Sequence, residues 1–156
     1  MFTKPLAYSS RPAEILLVED NYGDVLLTQE AFHSAQLPHN IRVAADGEVA
    51  VDMLNGAGEY KDINRPDLIL LDLNLPKRDG RDLLRFIKDN PELRHIPVIV
   101  FTSSQAAADI SKSYELHANS YVVKPTDLAK FDEIVEVVES FWFKIAVLSN
   151  GPISRH

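Results

Sequence analysis

The sequence predicts an α/β fold in which one parallel β-sheet carries helices on both of its faces. Short apolar runs alternate five times with segments whose apolar residues recur every three or four positions, as in amphipathic helices. Most of the short runs are continuously apolar, which is typical of parallel strands that are buried on both sides. With 156 residues, 46% of them hydrophobic and 25% charged, the chain has the size and composition of one globular domain.

Each predicted strand is an apolar run that stops at a polar residue or a turn. The first strand, residues 14–18, is followed directly by the acidic pair Glu19 and Asp20. The second alternates Ile41 and Val43 with a polar residue, so we expect a half-exposed edge strand. The remaining three strands are predicted at residues 68–71, 97–101 and 120–123.

A helix is predicted after each strand. The helical segments are residues 22–35, 47–55, the region of 83–87, residues 106–115, and a long segment that starts at Asp127. Phe141, Trp142 and Phe143 near the end of the last segment are consecutive, so they cannot all point into one core. We expect either the apolar residues 145–148 or a second protein to cover the exposed ring, and we expect no regular structure from Ser149 onwards.

The charge balance and the lack of cysteine exclude several classes of function. Twenty-three acidic residues against 16 basic ones give a formal net charge of −7, which disfavours non-specific binding to nucleic acid or to an anionic membrane. Without cysteine, the chain has no disulfide, zinc–thiolate site or thiol nucleophile. No apolar run has the length of a membrane span and residues 1–12 lack the apolar stretch of a secretory signal, so we expect a cytoplasmic protein.

Polar side chains that suit phosphoryl chemistry follow four of the five predicted strands. They are Glu19 and Asp20 after the first, Asp72 after the third, Thr102 after the fourth and Lys124 after the fifth. Parallel strands end at the same edge of a sheet, so we expect these side chains to lie together. Three neighbouring carboxylates favour a hard divalent cation such as Mg²⁺, and a cation, an ammonium and a hydroxyl around a carboxylate suit phosphoryl transfer. Taken alone, Asp20 equally suits the cap of the helix that follows it.

This set of residues resembles the receiver domain of bacterial two-component response regulators. The matching features are Glu19-Asp20, the segment 70–76 that contains Asp72, Asp79-Gly80, Thr102-Ser103, and Tyr121 with Lys124-Pro125. The resemblance implies a flavodoxin-like, doubly wound (βα)5 fold whose five parallel strands have the order 2-1-3-4-5. It divides the chain into an N-terminal arm at residues 1–12, a receiver at 13–143 and a C-terminal tail at 144–156.

The resemblance assigns roles to the acidic residues. Asp72 is implied to be the nucleophile that becomes phosphorylated. Asp20 and Asp72 are implied to bind Mg²⁺ through their carboxylates, Asn74 through its backbone carbonyl, and Glu19 either directly or through water. Glu19 stands where the family more often has aspartate. Asn74 and Ser104, two positions after the nucleophile and after the threonine, are expected to tune the lifetime of the acyl phosphate.

A second group of residues is implied to bind the phosphoryl group and to respond to it. Lys124 and the hydroxyl of Thr102, with Ser103 beside it, are expected to contact the phosphoryl oxygens. Thr102 is expected to move toward the phosphate, and Tyr121 to swing inward into the space that Thr102 leaves. The peptide bond between Lys124 and Pro125 is expected to be cis.

Further segments are similar to the stand-alone regulators that serve cyanobacterial and other bacterial phytochromes. These segments are residues 19–24, 56–66, 72–77 and 94–97. The similarity implies that the phosphoryl donor is a sensor histidine kinase, in this subgroup a phytochrome. It also implies a signalling protein rather than a metabolic enzyme, with output by protein–protein contacts. A homodimer through the fourth helix, fifth strand and fifth helix is expected.

Three other functions are compatible with an α/β sheet that ends in acidic residues. A phosphatase of the haloacid dehalogenase type also uses an aspartyl nucleophile and Mg²⁺, but its Asp-x-Asp motif follows the first strand, whereas Asp72 follows the third. A flavodoxin needs a phosphate loop rich in Ser, Thr and Gly, where this chain has the acidic pair of Glu19 and Asp20. A receiver-like module that binds partners without being phosphorylated has no need of an intact acidic site.

Overall fold

The structure, a computed structural model, describes residues 11–35 and 37–149. Most of the predicted N-terminal arm, residues 1–10, and the last seven residues of the predicted tail, 150–156, lie outside the described residues. The boundaries predicted for the arm and the tail therefore remain predictions.

Within the described residues, five strands form one parallel sheet in the order β2-β1-β3-β4-β5. The strands are β1 (Ala13–Val18), β2 (His39–Ala44), β3 (Leu68–Leu71), β4 (Val98–Thr102) and β5 (Ser120–Val123). The predicted fold class and strand order are confirmed. Side chains of β2 alternate between partly buried and exposed along most of the strand, as expected for its place at one edge of the sheet.

Helices follow every strand in the part of the chain that the structure describes. They are α1 (Tyr22–Ser34), α2 (Gly47–Asn55), α3 (Gly80–Asp89), α4 (Ala107–Glu115) and α5 (Leu128–Glu139), with a short 3-10 turn at Gly58–Tyr60. None of the helices among the described residues is both long enough and apolar enough to cross a membrane.

Two apolar layers cover the two faces of the sheet. Successive side chains of a strand point to opposite faces, so Ile15 and Leu17 of β1 enter one layer while Leu16 and Val18 enter the other. The first layer contains buried residues of α1 and α5, and the second contains buried residues of α2 and α3. Each fully buried leucine or isoleucine contributes roughly 2 kcal/mol to folding, so the two layers hold every strand in place.

Four helices begin at a side chain that accepts a hydrogen bond from a backbone N–H of the first turn. The capping residues are Asn21 for α1, Asp46 for α2, Asp79 for α3 and Asp127 for α5. The cap of α1 is therefore Asn21. The alternative interpretation, in which Asp20 caps this helix, is wrong. The Asp20 side chain is exposed and does not serve as the N-cap.

The segment after α5 continues as a π-helical turn, Ser140–Ile145. Within it Phe143 is buried, Trp142 is partly buried and Phe141 is exposed, so the three rings do separate as predicted. Leu148 turns back into the apolar layer that contains Phe143. The beginning of the tail thus packs on its own domain, but it leaves the ring of Phe141 uncovered.

Candidate functional site

The residue that follows each of three strands is held by one more backbone hydrogen bond of the parallel sheet. The N–H of Glu19 donates to the carbonyl of the last residue of β2 (3.0 Å), and the N–H of Asp72 donates to the last carbonyl of β1 (3.0 Å). The N–H of Lys124 donates to the carbonyl of Thr102, the last residue of β4 (2.8 Å). These three side chains are therefore fixed by the sheet itself, at the edge predicted from the strand directions.

Asp72 lies at the centre of this edge and is buried. Its Oδ1 accepts hydrogen bonds from the hydroxyl of Thr102 (2.8 Å) and from the backbone N–H of Asn74 (3.2 Å). Its Oδ2 accepts a bond from Nζ of Lys124 (3.0 Å). Both carboxylate oxygens are thus paired, one with the hydroxyl and one with the ammonium that the sequence predicted beside it.

Lys124 donates to three carboxylates at once. Besides Asp72, its Nζ bonds Oδ2 of Asp24 at 2.8 Å and Oε1 of Glu19. The lysine side chain is 7% exposed, so these contacts form largely away from water. Asp24 was not among the site residues predicted from the sequence. Its position in the first turn of α1, four residues after Asp20, gave a weak indication that it faces the same edge.

The charges at this edge do not balance, and the pKa values follow from that imbalance. Burial by itself lowers the pKa of Lys124, but its bonds to Asp24 and Glu19 outweigh burial and raise it. Burial raises the pKa of Asp72, yet the bonds from Thr102 and Lys124 bring it below its usual range. Burial and the charge of Asp72 raise the pKa of Glu19 to about 7, despite its bond to Lys124. One ammonium cannot neutralise three carboxylates, and the raised pKa of Glu19 agrees with that shortage of positive charge.

Three acidic side chains at this edge can share a metal ion. Glu19, Asp20 and Asp72 each place a carboxylate oxygen so that all three oxygens lie within 4.8 Å of one another. Oxygen ligands of this kind suit a hard divalent cation. The structure therefore brings together the three carboxylates that the sequence predicted to be metal ligands.

The loop after β4 is tied to α4 and to β5 by a chain of hydrogen bonds. The hydroxyl of Tyr121 donates to the carbonyl of Ser104 (2.9 Å), and the hydroxyl of Ser104 donates to Asp109 of α4 (2.6 Å). Asp109 is also paired with Arg81 of α3. Tyr121 is partly buried, while Ser103 of the same loop is exposed. The predicted switch residues Thr102 and Tyr121 are therefore connected through this loop.

The loop between β3 and α3 passes very close to Gly80, the first residue of α3. A Cβ atom at Gly80 would lie 2.4 Å from the carbonyl oxygen of Asp72 and 2.5 Å from the Cα of Leu73. The N–H of Gly80 donates to the carbonyl of Leu73 at 3.0 Å. Only glycine allows this approach, so the position of Asp72 depends on it.

The peptide bond between Lys124 and Pro125 is trans, and the prediction that it is cis was wrong for this structure. The described residues contain no cis peptide bond. In the trans form the backbone N–H of Lys124 bonds β4 and the side chain still reaches all three carboxylates.

A family model described as the response regulator receiver domain matches residues 15–136 of this chain. The chain belongs to the response regulator receiver family. The matched residues include the carboxyl ends of all five strands. They therefore include all the side chains of the acidic edge, by which we mean the edge of the sheet where Glu19, Asp72 and Lys124 lie.

Curated relatives of this receiver include response regulators of similar length. The response regulator Rcp1 of a Synechocystis strain is 45% identical over 140 residues, which are 90% of this chain and 95% of Rcp1. The polar-differentiation response regulator DivK of Brucella anthropi is 32% identical over 125 residues, which are 80% of this chain and 94% of DivK.

Among solved structures, the receiver is similar to the phosphorylated cyanobacterial phytochrome response regulator RcpA. The TM-score is 0.86 at 45% identity, and the match covers 89% of this chain and 99% of RcpA. The Mn²⁺-bound form of Rcp1 gives a TM-score of 0.84 at 45% identity, covering 88% of this chain and 99% of Rcp1. The predicted family and the similarity to phytochrome response regulators are thus confirmed.

Proposed function

We propose that Asp72 of this receiver accepts a phosphoryl group from a sensor histidine kinase. The observation that carries the proposal is the pairing of both Asp72 oxygens, one with the hydroxyl of Thr102 and one with the ammonium of Lys124. These two donors lie where they can pass from the carboxylate to the oxygens of an attached phosphoryl group. Phosphoryl transfer is mostly positioning and charge stabilisation, and a carboxylate between two such donors supplies both.

The proposed reaction moves one phosphoryl group and balances without a further reactant. An oxygen of Asp72 attacks the phosphorus of a phosphohistidine, the O–P bond forms, and the N–P bond of the donor breaks. The histidine nitrogen keeps the electron pair and takes up a proton. Because the pKa of Asp72 is below its usual range, the nucleophile is ionised at neutral pH.

We propose Mg²⁺ as the metal of this site. Glu19, Asp20 and Asp72 offer oxygen ligands within 4.8 Å of one another, and the backbone carbonyl of Asn74 is the proposed fourth protein ligand. Bound there, the ion would neutralise the excess of carboxylates and the charge of the phosphoryl group. The relative Rcp1 is solved in a Mn²⁺-bound form, which supports a divalent cation as a ligand of this receiver.

A group of exposed apolar side chains beside the acidic edge supports docking of a kinase there. Tyr22 and Leu26 of α1 and Leu128 at the start of α5 are exposed, and α1 packs against α5. Exposed apolar side chains that lie next to a reactive carboxylate suit a protein partner that must approach it. We propose that this partner is a phytochrome kinase, because RcpA is a phytochrome response regulator. Because such a kinase draws its phosphoryl group from ATP, we propose that the receiver acts in the cytoplasm.

The acceptor is tested by labelling with a phosphorylated histidine kinase and with acetyl phosphate, each in the presence of Mg²⁺. We expect wild type to gain one acid-labile phosphoryl group and Asp72→Asn to gain none. Asp82→Asn is the matched control, because it removes the same charge from an exposed side chain of α3. Equal labelling of wild type and Asp72→Asn would contradict the assignment of Asp72.

We also propose that the receiver forms a homodimer through α4, β5 and α5 and signals by protein–protein contacts rather than as a metabolic enzyme. Tyr114 of α4, Val137 of α5 and Phe141 just after it are large, apolar and exposed, which supports an interface on these elements.

Sedimentation of wild type and Val137→Lys at micromolar concentration tests the dimer. We expect a dimer for wild type and a monomer for the variant. Val147→Lys is the control, because Val147 lies outside these elements, and we expect this variant to stay dimeric. A wild-type protein that is monomeric both with and without a phosphoryl mimic would contradict the proposal.

A further inference from the structure

Lys124 is held at both of its ends, by the sheet and by α1. Its backbone N–H donates to the carbonyl of Thr102 at 2.8 Å, which fixes the base of the side chain beside the end of β4. Its ammonium donates to Oδ2 of Asp24, in the first turn of α1, at 2.8 Å. A lysine side chain has a flexible four-carbon stem, so the contacts at its far end decide where the charge lies.

Asp24 is itself held in place by the backbone of α1. Its N–H donates to the capping side chain of Asn21 (2.9 Å), and its carbonyl accepts a bond from the hydroxyl of Thr28 (2.8 Å). The helix packs in turn against α5, which begins shortly after Lys124. The carboxylate of Asp24 is therefore presented to the lysine by contacts that lie outside the acidic group that suits a metal.

The other two carboxylates that Lys124 bonds also have other ligands to serve. Glu19 and Asp72 belong, with Asp20, to the acidic group that suits a metal, and Asp72 is the proposed phosphoryl acceptor. Among the described residues, Asp24 is not a member of that group. Mg²⁺ and the phosphoryl group therefore act directly on two of the three partners of Lys124, and Asp24 is the partner that neither of them uses.

We propose that Asp24 is a positioning residue that keeps the ammonium of Lys124 directed at the phosphoryl group on Asp72. The proposal rests on phosphorylation at Asp72. Attachment of the phosphoryl group removes the charge of the Asp72 carboxylate, and the donor that bonded Oδ2 passes to a phosphoryl oxygen. The bond from Lys124 to Asp24 is kept throughout, so the ammonium does not have to be ordered again. Asp24 thereby strengthens the binding of a phosphoryl group or a phosphoryl mimic.

The first test measures how tightly the mimic fluoroberyllate binds in the presence of Mg²⁺, by calorimetry, and how fast acetyl phosphate labels the protein. We expect Asp24→Ala to bind the mimic about two- to fivefold more weakly than wild type and to be labelled more slowly by a similar factor, the range expected when a partly exposed ion pair is lost. Glu30→Ala is the control, because it removes a carboxylate from an exposed residue of the same helix. We expect it to behave as wild type.

A double-mutant cycle separates the action through Lys124 from a general effect of charge or structure. Lys124→Met keeps an unbranched side chain but has no ammonium, so Asp24→Ala should cause no further loss in that background. The cycle compares labelling rates, because a slow reaction can be followed for as long as it needs. A loss that persists in the Lys124→Met background would show that Asp24 does not act through the lysine, and it would overturn the proposal.

Failure of this inference is distinguishable from failure of the proposed function. If wild type is labelled at Asp72 and Asp24→Ala is labelled as fast as Glu30→Ala or faster, Asp24 does not position the lysine and this inference alone is overturned. Wild type that gains no phosphoryl group at Asp72 overturns the proposed function together with it.

Discussion

Buried carboxylates lie at both ends of the sheet, and the two ends satisfy them differently. At the end where the strands finish, Glu19 and Asp72 share the single ammonium of Lys124 with a third carboxylate. At the end where the strands begin, Asp67 is paired with the guanidinium of Arg11 through two hydrogen bonds of 2.8 Å. In the first arrangement three carboxylates share one ammonium, whereas in the second Asp67 has a cation of its own.

Neutral donors complete the pairing at the end where the strands begin. The backbone N–H of Glu14 donates a third bond to Asp67, at 2.8 Å. The carboxylate of Glu14 itself accepts bonds from the side-chain amides of Asn40 and Asn64, each at 3.1 Å. A bidentate ion pair and neutral amides stabilise buried carboxylates without placing like charges side by side.

The difference shows what each end is suited to do. Carboxylates with enough donors of their own stabilise the fold and need no ligand. Carboxylates that outnumber their donors destabilise the empty site, and a cation or a proton relieves them. The shared donor at the Asp72 end is thus a property of a binding site, and the separate donors at the Asp67 end are a property of a scaffold.

The largest expected effect is on stability, from Asp67→Ala. The variant removes the buried carboxylate that Arg11 and the N–H of Glu14 bond, and breaking such an ion pair costs about 3 kcal/mol. Denaturant unfolding measures the loss. Arg65→Ala, which removes a well-exposed pair with Glu92, is the control and is expected to cost less than about 0.5 kcal/mol. Equal losses in the two variants would mean that the Asp67 end is not a stabilising region.

A slightly smaller effect is expected from Mg²⁺. Because the ion relieves crowded carboxylates in the folded state, Mg²⁺ at one hundred times its Kd is expected to stabilise the receiver by about 2.7 kcal/mol. A chelator should reverse this gain, and Asp20→Asn should remove most of it. Glu14→Gln, at the other end of the sheet, should leave the gain unchanged. Stabilisation that survives Asp20→Asn would place the ion elsewhere.

The pH dependence of stability should reveal the excess charge at Glu19. Its pKa in the folded protein is about 7, against 4.5 for the free side chain, so the folded state binds the extra proton between these values. The stabilisation from that proton is fully present below pH 4.5 and is lost as the pH rises through 7. Between pH 5 and pH 8 we expect a loss of about 2.5 kcal/mol in metal-free protein, since each unit of pKa difference between folded and unfolded states is worth about 1.36 kcal/mol.

The variant Glu19→Gln checks that pH dependence. It cannot ionise, so its unfolding free energy should change less between pH 5 and pH 8 than that of wild type. Both proteins are unfolded by denaturant at each pH with a chelator present. Parallel curves for the two proteins would show that Glu19 does not carry the excess charge.

The smallest expected effect comes from the loop after β4. Tyr121→Phe removes the hydrogen bond to the carbonyl of Ser104, which is worth about 1 kcal/mol. Denaturant unfolding of the variant should show that loss. Tyr22→Phe, at a side chain that is 75% exposed, is the control and should be neutral. If Tyr121→Phe is as stable as wild type, this bond does not hold the loop, and the two predicted switch residues are not connected through it.

Much of the fold was predictable from local pattern. Continuous apolar runs located β1, β3 and β4, because strands buried on both faces must be apolar throughout. The alternation of Ile41 and Val43 with a polar residue located β2, because a strand at the edge of the sheet is only partly buried. The charged or hydroxyl residues after four of the five strands then located Asp72 and Lys124, since parallel strands end at one edge.

Other features depend on which elements become neighbours in space. The contact between Asp24 and Lys124 joins residues 100 positions apart, and it exists because α1 lies beside α5. The pairing of Arg11 with Asp67 likewise joins residues 56 positions apart. Hydrophobic periodicity within one helix or strand carries no information about contacts between distant segments. The sequence by itself therefore did not predict these two contacts.

The amino-acid sequence by itself determined the α/β class, the strands and helices, and the identity of the acidic and basic residues at the strand ends. Hydrophobic periodicity and strand direction are local properties, and they suffice for those conclusions. Only the tertiary structure decided that three carboxylates share Lys124 and that Leu148 returns to the core. Those features depend on distances and charges between elements that are far apart in the chain.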